Sequence, residues 1–164
     1  MKKVVRILAI ILSCALLLTG CGTFSKGNQE HPLAIYSFSG EDGLISVSNG
    51  VIVIDPAQEI LYGGELKTKN EGFTDIVSYS ITIYLISEYK ERTLMSNSVE
   101  DTTGGIVDIS GNIGKIAVDI FRNDDIDKFA NNLWLELNTV NLDGESNTHQ
   151  LQLKVTEITK TNAT

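Results

Sequence analysis

Val77, Tyr79, Ile81, Ile83 and Leu85 alternate with Ser78, Ser80, Thr82 and Tyr84, and this period of two most constrains what the chain can form. Successive strand side chains point to opposite faces, so the segment reads as one strand with an apolar and a mostly polar face. The same alternation recurs in Ile116, Val118 and Ile120, in Leu133, Leu135 and Leu137, and in Leu151, Leu153 and Val155. Val51–Ile54 is a short, wholly apolar run, the pattern expected of a strand buried on both faces. Only Asp124–Asn131 suggests a helical turn, with Asp124 and Asp125 suited to its N-terminal end. A parallel α/β sheet would need helices between its strands, and that alternation is absent.

The punctuation between these runs agrees. Asp42-Gly43, Asn49-Gly50, Gly63-Gly64, Gly104-Gly105 and Asp143-Gly144 all supply residues that tolerate positive φ and read as turns. The segment Asn141–Ser146 reads as the loop of a hairpin joining the last two strands. Pro32 precedes the first strand run and Pro56 follows Ile54, so neither proline interrupts a ladder. Seven to nine short strands with one-sided apolar faces predict an all-β, two-layer antiparallel sandwich over residues 33–159, with residues 160–164 as a tail.

The N-terminus carries a different signal. Lys2, Lys3 and Arg6 lead into the apolar run Ile7–Leu18, which is followed by Thr19-Gly20-Cys21. A basic start, an apolar middle and small residues before a cut are the layout of a secretory signal. As a helix, that twelve-residue run rises about 18 Å at 1.5 Å per residue. The hydrocarbon core is about 30 Å thick, so a transmembrane helix is not expected. Leu18-Thr19-Gly20-Cys21 resembles the lipobox of bacterial lipoproteins. The resemblance implies that residues 1–20 are removed and that Cys21, alkylated with diacylglycerol, becomes the new N-terminus. Two acyl chains hold firmly where one gives marginal, reversible binding. Gly22–Pro32 is small and polar; residues 21–32 therefore read as the lipidated cysteine and a flexible tether, reaching at most ~37 Å at ~3.4 Å per residue.

Composition narrows the rest. Cys14 leaves with the signal, so Cys21 is the one cysteine of the mature chain and no intrachain disulfide can form. Thirteen Lys/Arg oppose 21 Asp/Glu for a net charge of −8. Loss of Lys2, Lys3 and Arg6 makes the mature chain more acidic still. Such a surface is repelled by nucleic acid and by anionic lipid. Membrane attachment is thus expected through the anchor, with no nucleic-acid partner. An envelope protein or a cationic peptide is the partner class the charge favours.

Candidate chemistry is sparse. No G-x-S-x-G elbow, CxxC or HExxH is present. His31 falls in the tether and His149 at the start of the last strand, where both read as solvated. No catalytic residue and no cofactor are expected. Asn123, Asp125 and Asp127 imitate the opening of a calcium loop, but Lys128 stands where that loop needs glycine and Trp134 where it needs glutamate. Asp124, Asp125 and Asp127 stay open as an irregular metal site completed by another loop, or as helix-capping acids of an acidic loop. Asp143 and Glu145 form a similar pair, better explained by turn chemistry. Trp134 faces away from Leu133 and Leu135; with Tyr84 and Phe121 it would make an outward apolar patch for a partner, unless a loop covers it.

Tyr36–Glu41, followed by Gly63-Gly64-Glu65-Leu66, is similar to small uncharacterised lipoproteins of Gram-positive bacteria. That resemblance implies an immunoglobulin-like sandwich on the outer side of the cell membrane and transfers no functional residue. The expected role is a lipid-anchored, non-enzymatic binding or accessory module. Two alternatives stand beside it: a small extracytoplasmic hydrolase with a site assembled from separated loops, and a calcium-dependent adhesion or sensing domain.

Overall fold

Alternation becomes hydrogen-bonded strand wherever it was read among the residues that the computed structural model describes, which are 33–55, 58–69, 72–87, 90–117 and 129–160. Residues 1–32, 118–128 and 161–164 lie outside them, and with them fall the signal segment, Cys21, the tether, His31, Phe121, Asp124, Asp125 and Asp127. In chain order the strands are β1 (Ala34–Glu41), β2 (Ile45–Ile54), β3 (Glu59–Tyr62), β4 (Glu65–Thr68), β5 (Ile76–Ser87), β6 (Lys90–Glu100), β7 (Gly111–Asn112) and β8 (Lys115–Ala117). A single helical turn, α1 (Phe129–Asn132), then leads into β9 (Leu133–Asn141) and β10 (Ser146–Lys160).

All ten strands belong to one antiparallel sheet of order β6-β5-β9-β10-β1-β2-β3-β8, with β4 between β2 and β7. The sheet coils nearly into a barrel around one apolar core. Its corner is β10, whose fifteen residues serve two partners in turn. Ser146–Leu153 pair with β9, and Lys154–Lys160 pair with β1. Where the two ends of the sheet approach, Asn97 Nδ2 of β6 donates to the Ile113 carbonyl at 3.1 Å. Met95 and Ile113 are buried beside that seam.

Inward positions follow the expected pattern: Ile81, Ile83, Leu85, Leu133, Leu135, Leu137, Leu151 and Leu153 are all buried. At the start of β5 a register shift between Ile76 and Ser78 turns Ile76 inward in place of Val77. The apolar run Val51–Ile54 is not buried on both faces. Ile52 and Ile54 enter the core while Val51 and Val53 stay half-buried on the outer face. Their outward neighbours are apolar too: Ile35, Val53 and Ile60 are direct cross-strand partners.

Three expected turns form. Asp42 Oδ1 accepts the N–H groups of Leu44 and Ile45 at 2.8 and 2.9 Å in the β1–β2 turn. Gly104-Gly105 follows β6, and Asp143-Gly144 closes the β9–β10 hairpin. The other two glycine pairs behave differently. Asn49-Gly50 lies within β2, and Gly63-Gly64 divides β3 from β4 without reversing the chain. Both belong to a crease, and the crease forms the candidate site.

Candidate ligand-binding crease

Two neighbouring strands, β1 and β2, and two strand junctions, β3/β4 and β7/β8, break step at one level. In β1 the register shifts between Phe38 and Gly40. In β2, Ile45–Ser48 pair with β4 and Val51–Ile54 pair with β3, leaving Asn49 and Gly50 between the two ladders. Opposite them lie Gly63-Gly64, and beyond those Ile113-Gly114 between β7 and β8. The breaks are stitched together by backbone bonds from Gly63 N to Gly114 O and from Ile113 N to Gly64 O, each 2.9 Å. Aligned irregularities of this kind bend a sheet sharply and re-aim its side chains.

The backbone shows what the crease demands. Gly64 has φ 81° and Gly114 φ 117°. A Cβ on Gly64 would collide with the Ser48 carbonyl oxygen, so both conformation and space require glycine there. Asn49 sits at φ 60°, a left-handed conformation that asparagine tolerates better than most residues.

On the outer face this bend opens a cleft of about 590 Å³ lined by Asn49, Val51, Tyr62, Gly64, Glu65, Asn112, Gly114 and Lys115. Val51, Tyr62 and Lys115 form one row, each paired directly across β2, β3 and β8. Tyr62 is 38% exposed, and the Lys115 ammonium lies 5.7 Å from its ring centroid. Asn112 Oδ1 accepts the Gly114 N–H at 2.7 Å. That bond leaves the Asn112 amide nitrogen as the end able to donate outward. Among the described residues the Glu65 carboxylate has no ion pair or side-chain hydrogen bond. The wall therefore offers an aromatic ring, a valine, two amides, one carboxylate and one ammonium within a single concavity.

The outer face of the opposite half is different in kind. Ser98, Ser80, Asn138 and Thr148 stand in one cross-strand row, and Ser96, Thr82, Glu136 and Gln150 in the next. Several of these groups bond one another, Thr82 and Ser96 through their hydroxyls at 3.3 Å. Glu136 accepts from Gln150 and Asn138 at 2.9 Å each, and Thr148 donates to Asn138 Oδ1 at 2.6 Å. The two amide donors, Gln150 first, hold the Glu136 carboxyl below its usual range.

Trp134 is half-buried on this half and directly opposite Tyr84. Tyr84 is only 5% exposed, so the pair does not present two open rings. Burial pushes the Tyr84 phenol up, with the Glu91 and Glu136 charges adding to it. Glu145 is engaged in its turn: its N–H donates to Asn141 Oδ1 at 2.8 Å, and Asn141 Nδ2 donates back to its carboxylate at 3.0 Å. That matches the turn-chemistry reading of Asp143 and Glu145.

His149 is not simply solvated. Its Nε2 lies 2.6 Å from Asp42 Oδ2 across a separation of 107 residues, tying the β1–β2 turn to β10. Partial burial works against the charge on Asp42, but the N–H groups of Ile45 and Leu44 and the His149 ring outweigh it and keep the carboxyl below its usual range. A histidine–aspartate pair supplies two members of a hydrolytic triad. The pair joins the β1–β2 turn to β10, and among the described residues no hydroxyl or thiol bonds the same ring.

No group of three or more His, Cys, Asp or Glu side chains among the described residues could hold a metal ion. No described helix is long and apolar enough to cross a membrane. No family model, curated protein or solved structure matches the chain.

Proposed function

We propose that this chain is a lipid-anchored module of the cell envelope, held at the outer face of the cell membrane through Cys21, which binds its ligand in the crease without chemical turnover. The observation that carries the reading is the character of the cleft. Its lining mixes Tyr62 and Val51 with Asn49, Asn112, Glu65 and Lys115, the composition of a recognition site in which apolar contact supplies affinity and a few polar groups fix orientation. Its polar groups, two amides, a carboxylate, an ammonium and the Tyr62 phenol, are the kind that orient a ligand by hydrogen bonds and contact. The basic start, the apolar run and Leu18–Cys21 support the anchor. The immunoglobulin-like description belongs to the same proposal, supported by two halves of hairpin-linked antiparallel strands about one core.

Hydrogen exchange on native envelopes tests this reading. Residues 63–65 and 112–115 should exchange more slowly in intact envelopes than in the detergent-purified full chain. Equal exchange in the two would overturn binding at the crease. For the anchor, Cys21→Ser should release the protein from membranes or leave it unprocessed; unchanged membrane fractionation would contradict it.

A further inference from the structure

Resting on the reading of the crease as a binding site, we infer that its ligand is a short saccharide, neutral or N-acetylated, seated against Tyr62 and held by Asn49, Asn112 and Glu65. A sugar ring has an apolar C–H face and a rim of hydroxyls that both donate and accept. Its complement is an aromatic wall beside amides and a carboxylate, because amides also do both and a carboxylate accepts from hydroxyls. The crease places these together: the Tyr62 ring and Val51 on the central row, with Asn49, Glu65 and Asn112 lining the same concavity.

Other ligand classes fit the wall less well. A purely aliphatic ligand would desolvate two amides and a carboxylate without pairing them. A polyanion meets Glu65 inside the cleft and a chain of net charge −8 around it. A lone metal ion would find one carboxylate with an ammonium beside it. The volume of about 590 Å³ falls within the roughly 300–1,000 Å³ of small-molecule clefts.

The polar wall is also arranged in advance. Asn112 is oriented by its bond to the Gly114 N–H, while at Asn49 it is the backbone that is set, in a left-handed conformation. Side chains fixed before binding lose little freedom when they engage. Lys115 lies over the Tyr62 ring; this exposed contact is weak and gives way to a stacked ring.

The test is a calorimetric and NMR titration of the full chain in detergent micelles. The probes are an N-acetylglucosamine trisaccharide, a glucose trisaccharide and a zwitterionic tripeptide. At least one saccharide should bind and shift the Gly64 and Gly114 amide signals. Tyr62→Ala and Asn112→Ala should weaken that binding tenfold or more, Tyr62→Phe should retain it, and Thr148→Val on the opposite half should leave it unchanged. Each variant's melting curve establishes that it is folded, and the wild-type amide shifts locate binding without any variant. Tripeptide binding at Gly64 and Gly114 with neither saccharide bound would overturn the saccharide inference and leave the crease as a site. Saccharide binding that moves neither amide and ignores Tyr62→Ala would overturn the inference, as would no binding of either saccharide.

Discussion

The ring of Phe38 lies directly over Gly50, its cross-strand partner, and occupies the space a Cβ on that residue would need. An aromatic covering a strand glycine pins register where the ladder is otherwise weakened. Here it secures β1 on β2 beside the point where both strands break step. Gly50→Ala should therefore destabilise the domain by about 1–3 kcal/mol through overpacking. Urea unfolding should show a lower midpoint with an unchanged slope. In a Phe38→Leu background the same substitution should cost less, because the two effects are coupled.

Asp42 should make stability depend on acid pH. Its carboxyl is held below the usual range in the folded state, so its contribution is present above its unfolded pKa of about 3.9. It is lost as pH falls through the lower folded value. Asp42→Ala should cost about 1–2 kcal/mol at pH 7, from the lost turn and His149 hydrogen bonds. The gap to wild type should shrink below about pH 4. Thermal melts from pH 7 to pH 2.5 measure both trends.

Ile81 is 3% exposed at the centre of β5, between Asn97 of β6 and Leu137 of β9. Ile81→Asp buries a carboxylate with no partner and should abolish cooperative folding. Leu135→Ala should cost about 2–5 kcal/mol through the cavity it leaves. A near-normal melting temperature for Ile81→Asp would mean that the inward face is misassigned.

Tyr62 should separate fold from site. It is exposed enough that Tyr62→Ala costs less than about 1 kcal/mol, so circular dichroism and melting stay close to wild type. The same variant should lose ligand binding at the crease.

What the sequence disclosed followed from distance along the chain. Leu133, Leu135 and Leu137, or Ile81 and Ile83, declare their face through neighbours two residues away, and the structure buries all of them. Asn49-Gly50 misled because positive φ serves a strand bulge as readily as a hairpin turn, and only the pairing partners distinguish them. The length of β10 was hidden because its second half is mostly exposed, so alternation fades after Val155. The crease was not legible at all. Residues near 39, 49, 63 and 113 meet only once strand order is known, and alternation carries faces without neighbours. The same holds for His149 and Asp42.

The most direct measurement is the intact mass of the mature protein extracted from membranes. The expected result is a chain beginning at Cys21 with a diacylglyceryl group on its sulfur. A chain that retains residues 1–20, or one whose Cys21 is unmodified, would contradict it.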